Sequence, residues 1–193
     1  MISLEQSIPT WRFWLLWFIA FTGFPIGGLL VKLLIGPINT LASAALGGII
    51  SGAILGLVQW LVLRGQFPLS IFWVMASSIG MAVGLTLSTA LLGSDTGGSV
   101  LLWRALITGL CIGIIQALVL RSSLSVPNVQ ALIWAVTVAF AWTLGWWITR
   151  SVGVDLGPKW TVFGSTGAWA FQVLTGLAMF LMLRSIQITQ GIK

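Results

Sequence analysis

Prolines recur in this chain at a fixed spacing, and the spacing divides it into three similar pieces. Pro9, Pro68 and Pro127 stand 59 residues apart, and each opens a tryptophan-rich apolar run. Pro37 and Pro158 fall in matching turns, Gly36-Pro37 and Gly157-Pro158. Each piece closes on a similar phrase: Gln-Trp-Leu-Val-Leu-Arg at 59–64, Gln-Ala-Leu-Val-Leu-Arg at 116–121 and Met-Phe-Leu-Met-Leu-Arg at 179–184. Self-similarity at a constant period means that one supersecondary unit is used repeatedly. The repeat units run approximately over 9–64, 68–121 and 127–184.

Composition decides which solvent those units meet. Apolar residues make up 58% of the chain and charged residues 6%, where a soluble domain carries about a quarter charged residues. A surface so poor in charge must face lipid. Twelve Trp with no Tyr and no His agree, because indole favours the boundary between acyl chains and water. A spanning helix needs roughly 20 mostly apolar residues, and six such runs fit, at about 11–35, 39–63, 69–92, 101–120, 129–149 and 160–183. The expected fold is therefore all-α and integral to the membrane. Six transmembrane helices form three pseudo-repeated hairpins, in a single membrane domain over 1–193. A transmembrane β-barrel would alternate apolar and polar residues; these runs are apolar all round. The first span is too long for a cleaved signal sequence, and Arg12 ahead of its core suits an uncleaved anchor.

An even number of spans puts both termini on one face. That face carries Arg12, Arg64, Arg121, Arg184 and Lys193 against Lys32, Arg104, Arg150 and Lys159 on the other. The excess of one basic residue predicts cytoplasmic termini. The net charge of +6 is divided between two faces with no basic cluster, so no nucleic-acid partner is expected.

Small residues recur four apart in every span, in glycine-zipper fashion. Span two has Ala44, Gly48, Gly52 and Gly56; span three Ala76, Gly80, Gly84 and Ser88; span four Ala105, Gly109 and Gly113. Span six has Gly164, Ala168 and Gly176 with Gln172 interrupting; span five has Ala141 and Gly145, and span one Gly23 and Gly27. Lipid tails are as apolar as Leu, so helices associate through close backbone approach over such residues. The simplest arrangement puts the even-numbered helices around a pseudo-threefold axis and the Trp- and Phe-rich odd-numbered helices outside.

Three groups of side chains are candidates for function. Gln59 and Gln116 each follow a row glycine by three residues, so both amides point into the packed interior. In the third unit Met179 takes that place, and Gln172 lies about two turns earlier. Such amides suit a polar substrate group, a lipid head group or the magnesium of a chlorophyll; the plainer reading is an interhelical hydrogen bond worth about 1 kcal/mol. Arg64, Arg121 and Arg184 end the even-numbered spans and suit an anion or anionic lipid, or else serve as topology signals that snorkel to the interface. Five residues separate each Arg from its Gln-equivalent position, a rotation of roughly 140°, so the two sets do not share a site. Arg104 and Lys32 lie at the apolar limits and are expected to snorkel outward. Trp11, Trp14, Trp73, Trp103 and Trp160 read as interface anchors, while Trp142, Trp146, Trp147 and Trp169 lie deeper and suit a pigment, a quinone, a partner helix or lipid. Catalysis is poorly supported. There is no His, the acids Glu5, Asp95 and Asp155 lie outside the spans, and Cys111 is alone between Leu110 and Ile112.

The phrase Gly52-Ala-Ile-Leu-Gly56-Leu-Val-Gln59-Trp-Leu-Val-Leu-Arg64, echoed at 109–121, resembles a loose group of uncharacterised bacterial polytopic membrane proteins of cyanobacterial type. The resemblance implies a bacterial inner or thylakoid membrane and transfers no activity and no site residues. The expected function is a non-enzymatic accessory subunit. It would pack against other membrane-protein helices in the lipid bilayer and contact chlorophyll, carotenoid or lipid. The alternative is a small transporter or channel for an anionic or weakly polar solute.

Overall fold

A computed structural model of the protein describes residues 10–65, 68–95, 97–152 and 160–189, with side chains of the last segment over 166–186. Among the described residues the chain is helical, with seven α-helices: α1 (Thr10–Ile19), α2 (Gly23–Leu34), α3 (Leu41–Leu63), α4 (Phe72–Leu92), α5 (Gly98–Leu124), α6 (Asn128–Ser151) and α7 (Trp160–Thr189). α1 and α2 are one span interrupted by a 3₁₀ turn, Ala20–Thr22. The interruption has a local cause: Pro25, the one proline outside the repeating positions, has no N–H for the Phe21 carbonyl. Six segments are long and apolar enough to cross a membrane. The protein is an all-α integral membrane protein in contact with the lipid bilayer.

Local chemistry sets the helix ends. Before α3, Thr40 Oγ1 accepts from the Ser43 N–H at 3.1 Å and Ser43 Oγ accepts from the Thr40 N–H at 3.0 Å, so two orphan amides are satisfied reciprocally. After α4, Gly93 turns the chain at φ +71°, a conformation that Cβ disfavours. The Gly157-Pro158 turn and Pro9 lie outside the described residues.

The spans close into a ring in chain order. The first span packs on α3, α3 on α4, α4 on α5, α5 on α6, α6 on α7, and α7 returns to α1 and α2. This corrects the expected packing of even-numbered spans on one another about an axis: the backbones of α3, α5 and α7 do not approach one another closely among the described residues. Both sets of spans supply the interior: Leu55 and Leu63 of α3, Ile112 and Leu120 of α5 and Met179 of α7 are buried, and the odd-numbered spans add large indoles. Trp17 of α1, Trp73 of α4 and Trp134 of α6 are buried, and the rings of Trp73 and Trp134 meet at 5.7 Å. At another level Phe24 of α2, Trp142 of α6 and Phe171 of α7 pack edge to face or tilted within 6 Å. Large indoles reach the centre where a glycine row cannot. The ring remains compatible with three repeated hairpins.

Glycines stand at each interface of the ring. A Cβ on Gly84 of α4 would lie 2.6 Å from Thr108 Cα of α5, and one on Gly80 would lie 2.7 Å from Ile112 Cα. Gly109 and Gly113 of α5 stand against Ala139 and Ala135 of α6 in the same way, at 2.8 and 2.9 Å. Gly52 and Gly56 of α3 meet Ser78 and Val74 of α4, with Gly48 against Ala82. Gly23 and Gly27 face Leu55 and Ser51, Gly145 faces Gly167, and Gly176 is covered by Trp17 and Trp14. Where the opposing atom is backbone, no rotamer change relieves an added methyl. Gly84→Ala should therefore destabilise the protein by about 1–3 kcal/mol through overpacking. Gly28→Ala should not, because nothing lies within 4 Å of a Cβ there. Thermal unfolding of the two variants in the same detergent separates these outcomes.

Candidate functional site

The amides singled out in the sequence lie inside the ring, each paired with an indole from a neighbouring span. Gln59 of α3 accepts a hydrogen bond from Trp73 Nε1 of α4 at 3.3 Å. Gln116 of α5 accepts from Trp134 Nε1 of α6 at 3.2 Å, and its Nε2 donates to Ser77 Oγ of α4 at 2.8 Å. Ser77 Oγ in turn donates to the Trp73 carbonyl at 2.9 Å. One hydrogen-bonded belt thus runs Gln59, Trp73, Ser77, Gln116, Trp134 across four consecutive helices. On the other side of the ring, Trp17 Nε1 donates to the Gln172 main-chain carbonyl at 2.8 Å, and Gln172 Nε2 donates to the Trp17 carbonyl. That reciprocal pair joins the last span to the first.

The indole half of this belt is what sequence reasoning missed. Trp73 was expected at the interface as an anchor and is fully buried, because its N–H has a partner inside. Trp17 and Trp134 were not singled out. A signal was present: Gln59 lies 9 residues before Pro68 and Trp73 lies 5 after it, while Gln116 lies 11 before Pro127 and Trp134 lies 7 after it. Both arms lengthen by two residues between the units. In an antiparallel hairpin that preserves which residues face each other. Gln172, which broke the pattern of the third unit, pairs with the first span instead.

The remaining candidates occupy separate places. Arg64, Arg121 and Arg184 are exposed at the ends of α3, α5 and α7, helices that are not neighbours. Arg64 lies 4.7 Å over the Trp60 ring and Arg184 4.8 Å over the Phe180 ring, each four residues back on its own helix. Lys32 is exposed as expected. Arg104 does not snorkel outward. It is buried, and its guanidinium donates to Thr89 Oγ1 at 3.1 Å, to the Asp95 carbonyl at 3.2 Å and to the Gly93 carbonyl. It closes the C-terminal end of α4, where carbonyls have no intrahelical partner and a cation is favoured. Trp11 and Trp103 are exposed, Trp14 half-buried, and the side chain of Trp160 lies outside the described residues. Of the deeper set, Trp142 and Trp146 are half-buried and Trp147 and Trp169 exposed.

Chemically the belt is a structural device. Its amide oxygens on Gln59 and Gln116 already accept from indoles, and its hydroxyl is committed at both ends. Among the described residues three buried side-chain oxygens lack a partner: Gln172 Oε1, Thr108 Oγ1 and Gln130 Oε1. No cluster of three His, Cys, Asp or Glu exists among the described residues, and Cys111 is a free, half-buried thiol. Comparison with protein-family models, with curated proteins and with solved structures returned no match.

Truncating the belt leaves a buried indole N–H unpaired. Gln116→Leu should lower stability by about 1–2 kcal/mol, a range bounded by the cost of an unsatisfied donor and by measured interhelical bonds in membranes. A double-mutant cycle with Trp134→Phe should return a coupling of at least about 0.6 kcal/mol. A coupling of zero would mean that the two side chains contribute independently.

Proposed function

We propose that the protein is a non-enzymatic accessory subunit of a larger complex in a bacterial inner or thylakoid membrane, with both termini cytoplasmic. The observation that carries this reading is the division between inside and outside. Inside, the polar side chains of the belt are spent on one another. Outside, large aromatic rings face the bilayer: Phe72, Trp103, Phe140, Trp147 and Trp169 are all exposed. Exposed aromatic rings suit contact with partner helices or with a flat pigment such as chlorophyll or carotenoid, since aromatic residues are enriched in interface cores. The chain has no His, and its three acids Glu5, Asp95 and Asp155 stand far apart in sequence, which supports a role without catalysis.

A tagged native protein extracted in mild detergent should bring down stoichiometric partner subunits, with pigment bands in the absorption spectrum where pigment is part of the contact. Trp147→Ala combined with Phe140→Ala should reduce partner recovery several-fold while leaving the melting temperature of the isolated protein unchanged. Recovery of a colourless monomer without partners would remove the reading. One observation favours a second: the unpartnered oxygens of Gln172 and Thr108 are buried polar groups of the kind a transporter uses. Flux of a weakly polar, hydrogen-bond-donating solute into liposomes that disappears on Gln172→Leu would favour a small transporter instead.

A further inference from the structure

α6 and α7 meet glycine to glycine at one level, where Gly145 lies against Gly167. Nearer the start of α6 no glycine stands between them among the described residues, and a groove of about 570 Å³ opens there. Ile133 and Phe140 stand on one wall and Leu177 and Leu181 on the other. All four are exposed, so the groove faces the bilayer rather than the inside of the ring. A hydrogen bond of 3.0 Å from Gln130 Nε2 to Ser185 Oγ crosses its far end. No lining residue carries a charge, and the space suits one uncharged apolar body of the size of a small ligand.

One hydroxyl in this groove is unspent. Thr143 and Thr149 of α6 and Thr175 of α7 each donate to the carbonyl four residues back, which satisfies a hydroxyl within its own helix where no water is present. Thr137 lines the groove, is half-buried, and makes no hydrogen bond among the described residues; its oxygen is not buried. Gln130 Oε1 also lacks a partner, but it is buried beyond an occupant's reach. Thr137 is the tenth residue of α6. It therefore stands about 14 Å from the start of the helix, near the middle of a hydrocarbon layer about 30 Å thick. Phospholipids keep their oxygens at the head group. Long-chain alcohols keep theirs at the water interface, because an unpaired hydroxyl is costly in hydrocarbon. A lipid-soluble quinone carries carbonyl oxygens on a flat, uncharged ring that enters the hydrocarbon. The exposed side chain of Phe140, three residues after Thr137, offers that ring a face on the same side of α6.

We propose that this groove binds one lipid-soluble quinone. Its ring lies against Phe140 with one carbonyl accepting from Thr137 Oγ1, and its apolar tail runs between Ile133 and Leu181 toward Gln130. The site is independent of the accessory-subunit reading, because it needs no partner protein. The test titrates the full-length protein in phosphatidylcholine nanodiscs with decylubiquinone, reading the bound fraction and the quinone carbonyl bands by infrared difference spectroscopy. One quinone per protein should bind saturably, with one carbonyl band moved to lower frequency. Thr137→Val keeps the shape of the side chain. It should weaken binding roughly threefold to tenfold, the worth of one neutral hydrogen bond, and abolish the band shift. Decylbenzene, which has the tail but no carbonyl, should bind this variant as well as it binds the unaltered protein. Leu181→Trp places an indole in the groove from an exposed position and should weaken binding of both probes. Equal melting temperatures of the two variants and the unaltered protein separate loss of the site from loss of the fold. No saturable quinone binding, an unshifted carbonyl band, or either variant binding quinone as the unaltered protein does would overturn the proposal. So would equal affinity for decylubiquinone and decylbenzene, which would make the groove a resting place for acyl chains only.

Discussion

Hydrocarbon gives helices no reason to associate by burial, because leaving lipid gains nothing that leaving water would. Everything in this ring depends on how closely backbones approach. Where Gly80 and Gly84 lie against Ile112 and Thr108, a methyl group is already too large. The same holds where Gly109 and Gly113 lie against Ala139 and Ala135. Such contact brings main chains into dispersion range along several turns. It also explains the ring itself. A helix with glycines toward one neighbour and other small residues toward the next can pack tightly on two sides, but not on a third. Six such helices in series close on themselves, and the centre is left to side chains with enough volume to fill it. Trp17, Trp73 and Trp134 do so.

Indoles in the centre bring a polar N–H each, and in a membrane that group must find an acceptor inside the protein. The glutamines are the answer to this requirement. Trp73 and Trp134 donate to side-chain oxygens, and Trp17 to a main-chain oxygen. The closure between α7 and the first span differs from the others in kind. Gly176 there meets indole rings rather than opposing backbone, and the pair of bonds between Trp17 and Gln172 supplies directionality that the looser contact lacks. Buried Arg104 follows the same logic at a helix end. Its guanidinium supplies donors to a Gly93 carbonyl that α4 cannot satisfy, in a turn where water would otherwise be needed.

Span number, span limits and the inward aim of Gln59 and Gln116 were readable from hydropathy and helical spacing, because both are periodic properties of one helix. The ring order and the buried indoles were not. They depend on which helix faces which, and a small-residue row states that a face is packed without naming its partner. Trp73 illustrates the difficulty. By position it is an anchor near a span end, by composition it is an interface residue, and only its pairing with Gln59 keeps it inside. Arg104 misled for a related reason. A cation near the end of its own helix is close enough to snorkel, but the end of α4 is closer still and offers three oxygens. The interruption at Ala20–Thr22 was not read from the sequence, where hydropathy shows one continuous first span, although Pro25, the one proline outside the repeat, carried its signal.

A ring closed in this way leaves its exterior as the surface free to vary. Substitutions at the interior are constrained twice, by volume at the glycine contacts and by hydrogen bonding at the belt. A lipid-facing residue is constrained only to be apolar, and Leu would satisfy that as well as Trp or Phe. Phe140, Trp147 and Trp169 are instead aromatic and exposed, with Trp169 stacked on Phe21 at 4.1 Å. Rings held flat against a neighbour present a rigid face at small entropic cost, since only two torsions are fixed. Such a face is best matched by something that is itself rigid. That asymmetry is what supports the proposed role, in which the outer aromatic rings meet partner helices or flat pigments.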